Sequence, residues 1–107
     1  MSQKKPTAQT LQEAWLGDAV LALYARERIL REDGALDGPK AERMTSNQFL
    51  TAFGEPSEVE ASIGRVYQRD GLAEAFAFVE ARFMPLFEKH EQRRAKNAPK
   101  RALKMFE

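Results

Sequence analysis

The sequence predicts an all-α fold, on three observations: apolar residues recur at helical spacing, strand-type alternation is nearly absent, and glycine and proline fall where helices begin and end. The first helix opens at Thr10-Leu11-Gln12-Glu13, which has capping-box form: the threonine hydroxyl accepts an early helix N–H and Glu13 reaches back. Apolar residues then run to Ile29 and Leu30, and Gly34 supplies the glycine that ends a helix. Leu16, Ala19, Val20, Leu23 and Tyr24 surround this helix, which marks it as the central, buried one. Ala14, Asp18, Ala22 and Ala25 form a stripe of small residues broken by one carboxylate, a surface that lets another helix backbone approach closely.

Residues 33–38 hold two glycines and read as a loop. A second helix is expected from Pro39, a favoured first-turn residue, to just before Gly54. A third runs from near Pro56 to Gly71, with Val59, Ile63, Val66 and Tyr67 as its apolar face. The fourth covers Leu72 to about Lys96 on the stripe Leu72, Phe76, Val79, Phe83 and Phe87. Pro85 should kink it, because proline lacks the N–H and crowds the preceding turn. The expected organisation is one helical domain over residues 1–94 and a basic tail over 95–107, in which Leu103, Met105 and Phe106 are free to dock.

At 43% hydrophobic and 31% charged residues, the chain has the apolar content to fold and is not expected to be disordered. It contains no cysteine, which excludes a disulfide scaffold and a thiolate zinc site and is compatible with a reducing cytoplasm, the expected location. The longest apolar run, Ala19 to Ala25, is far too short for a membrane span, and no apolar segment follows the N-terminal lysines, so neither membrane insertion nor a signal peptide is expected. Residues 91–107 carry six basic groups against two acids, whereas the other 90 residues carry 11 against 14. A basic end on a mildly acidic body brings phosphate to a protein; a solvated terminus has the same composition. His90, in the charged run Glu88-Lys89-His90-Glu91, is expected to be solvated.

Two acids stand out. A carboxylate within a buried helix is costly unless it is paired, and the residues one turn from Asp18 are Ala14 and Ala22, which cannot pair with it. The partner must come from outside: an arginine or lysine, a hydrogen-bonded network, or a metal ion. Glu60 lies on a helix whose same face carries Ser57 and Gly64, again small. Two helices with small faces pack tightly, and carboxylates brought together need a proton or a cation between them. Hard oxygen ligands of this kind suit Mg²⁺ or Mn²⁺.

At these residues the sequence resembles the ribonuclease III family. Leu11-Gln12-Glu13-Ala14-Trp15-Leu16-Gly17-Asp18-Ala19-Val20-Leu21 is similar to the family signature L-E-F-L-G-D-A-V-L. Ser57-Glu58-Val59-Glu60-Ala61-Ser62-Ile63-Gly64-Arg65-Val66-Tyr67 is similar to its second acidic motif, D-x-x-E-A-x-I-G-A-x-Y. Thr45-Ser46-Asn47-Gln48-Phe49-Leu50 and Asp70-Gly71-Leu72 fall in matching order, so the resemblance covers roughly residues 8–90.

The resemblance implies a ribonuclease III-like helical bundle, shortened at Gly54-Glu55-Pro56 between the second and third helices. It implies a homodimer that cuts structured or double-stranded RNA with Mg²⁺ or Mn²⁺. Carried over singly, the family's aspartate is Asp18 and its glutamate Glu60, while its other two acids fall at Ala14 and Ser57. Alanine at the first of these, and no separate double-stranded-RNA-binding domain, resemble the Mini-ribonuclease III branch. Asp18 and Glu60 are thus the expected catalytic and metal-holding residues, with Ser57 acting through a water. Arg93, Arg94, Lys96, Lys100 and Arg101 are the expected RNA-phosphate contacts. Two alternatives stay open: a degenerate domain that binds RNA without cutting it, and a structural dimer in which Asp18 pairs with an arginine such as Arg65.

Overall fold

The computed structural model describes residues 6–97, and all regular structure in them is helical. Helix α1 (Ala8–Asp33) starts a turn earlier than the capping box predicts. Thr7 is its N-cap and its hydroxyl accepts the Thr10 backbone N–H at 3.0 Å. Thr10 therefore lies inside the helix, and Glu13 does not reach back to it. Gly34, with φ 76°, ends α1 by donating its N–H to the Leu30 carbonyl, where a left-handed residue was expected.

The expected second helix is broken in two. Helix α2 (Gly38–Thr45), capped by Asp37, stops at Ser46, whose extended ψ of 152° leaves the helical path. The Ser46 hydroxyl then accepts the Phe49 N–H and starts α3 (Asn47–Leu50), which runs into a 3₁₀ turn over Thr51–Phe53. Serine competes with the backbone for such bonds, so one residue both ends a helix and begins the next. Gly54, at φ 141°, turns the chain into α4 (Pro56–Asp70), capped by the Glu55 carboxylate. Helix α5 (Leu72–Lys96) follows and passes through Pro85 as one element. It takes in two residues assigned to the tail; residues 98–107, and with them Lys100, Arg101, Leu103, Met105 and Phe106, lie outside the described residues.

The most extensive packing is between α1 and α4, and α5 lies across both. Leu21, Ile29, Met44, Leu50, Ile63, Val79 and Phe83 fill the core between them. The result is flat, 54 × 35 × 19 Å, with a radius of gyration of 16.0 Å against about 12 Å for a close-packed chain of this size. Helix α1 is accordingly buried on one side only, not all round as its composition predicts. Leu11 is 53% exposed, Trp15 78%, Leu23 40% and Leu30 53%.

Candidate functional site

Helices α1 and α4 cross at two glycines. A Cβ on Gly17 would stand 1.8 Å from the Glu60 carbonyl oxygen, and one on Gly64 would stand 1.9 Å from that of Glu13. Both distances are far inside contact, so only glycine permits this approach. The close approach was expected on the small-residue stripe of Ala14 and Asp18. The actual contact is one residue away, at Gly17, and its signal was a glycine standing in mid-helix, where it costs about 1 kcal/mol relative to alanine and wants a packing reason.

The crossing sorts four charged side chains. Asp18 follows Gly17 and Glu60 lies one turn before Gly64, which brings their carboxyl groups close enough for each to feel the other. Burial pushes the Glu60 carboxyl up to about 7, and the neighbouring carboxyl of Asp18, with a smaller contribution from Glu55, pushes the same way. Five residues, about 140° of helical turn, separate Asp18 from Glu13 and Glu60 from Arg65. The second pair therefore flanks the crossing on its other side, where Arg65 Nη1 donates to Glu13 Oε1 at 2.9 Å. Gln9 donates to the same carboxylate, at Oε2.

This geometry corrects two expectations. Asp18 is not buried in an apolar helix but exposed at the edge of the crossing, with Glu60 half-buried against it. Arg65 is not its counter-ion, because Glu13 already holds that guanidinium. Ala14 is buried beside the crossing, and Ser57 is half-buried on the Glu60 face of α4. Glu55 is occupied as the α4 cap, accepting the N–H groups of Ser57 and Glu58. Among the described residues no group of three or more His, Asp or Glu side chains is arranged to hold a metal ion, so the site offers two carboxylates.

The basic residues are elsewhere. Arg93, Arg94 and Lys96 are exposed at the end of α5, beyond Glu88, which pairs with Arg28. Arg28 is ten residues, about 15 Å, along α1 from Asp18. His90 is not fully solvated: its ring meets Phe49 edge-on with centroids 5.9 Å apart.

A cluster that the sequence reading missed surrounds Arg28, whose side chain is 7% exposed among Tyr24, Glu32, Glu80 and Glu88. Burial opposes its charge, but the hydrogen bonds to Glu88, Tyr24 and Glu32 outweigh burial and raise its pKa. Burial, and then the hydrogen bond to Glu80, push the Tyr24 phenol up to about 12. The spacing of Tyr24, Arg28 and Glu32 on one helix face was its only trace in the sequence.

A larger groove of about 570 Å³ lies between α1 and α2, lined by Ala22, Arg26, Leu30, Leu36, Ala41 and Thr45 among others. Its lining is chiefly apolar, and of its two acids, Asp37 and Glu42, the first is taken up in capping α2, so the Asp18–Glu60 pair is the better candidate for chemistry. The class these features define is an all-helical protein with a carboxylate pair set at a glycine crossing. Comparison with family models, with curated proteins and with solved structures returns no match.

Proposed function

We propose that the chain is a ribonuclease III-type domain in which Asp18 and Glu60 hold one divalent cation against the backbone of structured or double-stranded RNA. The observation that carries this reading is the carboxylate pair itself, at the same positions as the two matching acids of the sequence resemblance. Side by side, the two groups need a proton or a cation between them, and Glu60 retains a proton up to about 7.

Mg²⁺ or Mn²⁺ bound there would polarise a phosphodiester oxygen and activate a water. Asp18, more exposed than Glu60, would be the readier ligand, and Glu60 would be the second once deprotonated. Gly17 and Gly64 fix the separation of the two helix backbones from which Asp18 and Glu60 project, which is pre-organisation by backbone. Ser57, three residues before Glu60, supports a water on the same face.

The exposed face of α1 supports the proposed homodimer. Leu11, Trp15, Ala19, Ala22, Leu23 and Leu30 fall in one helical stripe, continuous with the α1–α2 groove. A stripe of this extent, headed by a tryptophan, is an association surface. Asp18 borders it, so a second copy on α1 would set the carboxylate pair at the edge of the joined surface.

Cleavage of an end-labelled RNA duplex in Mn²⁺ tests the nuclease reading: activity in the wild type that vanishes in Asp18→Asn and Glu60→Gln is the expected result. One observation favours a second reading, RNA binding without cleavage. Ala14 is buried and Glu13 is held by Arg65, so nothing on α1 replaces the missing acid. Retention of the duplex by a protein that never cuts it would establish that reading instead.

A further inference from the structure

Between the α2–α3 junction and the last turns of α5 lies a second concavity, of about 260 Å³, lined by Arg43, Ser46, Gln48, His90 and Arg94 over a floor of Phe49 and Phe87. Among the described residues its only acid is Glu91. Arg43 takes that carboxylate in a two-point bond, with Nε and Nη2 each 2.9 Å from an oxygen. The hydrogen bond to Arg43 holds the Glu91 carboxyl below the usual range. The pair therefore stays ionised and rigid, and the Arg43 Nη1 edge is left for another acceptor.

No ion pair among the described residues includes Arg94. Two arginines face the single carboxylate of Glu91, which Arg43 holds and whose charge Arg94 also feels, so the groove keeps one positive charge in excess. Ser46 already uses its hydroxyl as the α3 cap, so the donors left are Arg43 Nη1, Arg94, the Gln48 amide and the His90 ring. The two phenylalanines exclude water beneath them, which strengthens each charged hydrogen bond.

We infer that this groove is a phosphate-binding site, in which Arg43 and Arg94 grip an anionic oxygen pair and Gln48 and His90 orient it. A planar fork held by one carboxylate and offering its free edge is the geometry that recognises phosphate. The phosphate is either part of an RNA backbone, a source that rests on the function proposed above, or part of a small phosphorylated molecule.

His90 is the chain's only histidine, so its ring resonances report on this site alone. The test is an NMR titration of the full-length protein in EDTA with inorganic phosphate and, separately, with a short RNA duplex, using sodium chloride at matched ionic strength as reference. Phosphate should give a saturating His90 shift that chloride does not, weakened at least about tenfold in Arg94→Gln, the loss expected for one hydrogen bond to a charged group. Equal shifts with chloride, or an unchanged response in Arg94→Gln, would overturn the assignment. A response to duplex as well as to phosphate identifies the backbone as the source, and a response to phosphate alone identifies a small molecule. Asp18→Asn should leave the response intact while abolishing cleavage, which separates this site from the carboxylate pair.

Discussion

The backbone of Glu13 leaves no room for a side chain on Gly64: a methyl there would stand 1.9 Å from the Glu13 carbonyl oxygen, with Gly17 and Glu60 in the reciprocal relation at 1.8 Å. Gly17→Ala or Gly64→Ala should therefore cost about 3 kcal/mol, the upper range for overpacking, despite alanine's better helix propensity. Gly38→Ala, where an added methyl meets nothing within 4 Å, should change stability by less than about 0.5 kcal/mol. Urea unfolding of the three variants measures the contrast.

Glu60 makes stability depend on pH. Its carboxyl is raised from 4.5 to about 7 in the folded chain, so the folded state binds the proton more tightly than the unfolded state does. The associated stability is full below 4.5, declines as pH rises towards 7 and is gone above it. Glu60→Gln should remove this slope, so thermal melts between pH 5 and 8 should show the variant gaining on the wild type as pH rises. Parallel melting profiles would contradict the shared proton.

Arg28 is a buried charge whose three carboxylate partners are each about half exposed. Arg28→Ala loses the packing of its stem and its charged hydrogen bonds and should destabilise by about 2 kcal/mol, whereas Tyr24→Phe, which deletes one hydroxyl from the same cluster, should cost about 1 kcal/mol. Chemical unfolding of both variants checks the order.

Trp15 makes little of the monomer's packing, being 78% exposed. Trp15→Ala should leave the melting temperature of dilute protein nearly unchanged but weaken self-association about 30-fold, the effect of losing a central interface anchor. Sedimentation velocity over a concentration series reads this directly. A wild type that stays monomeric throughout would remove the dimer from the proposed function.

Helix content, the Gly34 and Gly71 ends and the extents of α4 and α5 were legible because each rests on local chemistry: a glycine or proline at a boundary and an apolar stripe between. The break at Ser46 was not, since a serine that leaves the helical path and caps the next helix looks like any polar residue within one. The start of α1 was misplaced because Thr7 and Thr10 both have the chemistry of a cap, and periodicity alone does not choose between them. For the site, the approach of Asp18 to Glu60 followed from small residues on two helix faces. The exposure of Asp18 did not, because a helix rich in apolar residues has the same sequence whether it is covered by its own chain or left with a bare side. The Arg43–Glu91 pair joins residues 48 apart, and no local pattern points to it.

Helix α1 is fastened at two places by two kinds of force. Near its start the hold on α4 is chiefly bare backbone against bare backbone, with the single Glu13–Arg65 ion pair beside it. Near its end the polar hold on α5 is the Arg28 guanidinium on two α5 carboxylates, Glu80 and Glu88, each about half exposed to solvent, and dissolved salt screens such a tie. Raising ionic strength thus acts on the molecule unevenly, loosening the Arg28 tie to α5 and leaving that end of α1 to its apolar contacts, while the crossing stays shut. Amide exchange in strong salt would quicken around Tyr24 to Glu32 long before it did around Gly17, and the carboxylate pair would ride on the half that does not open.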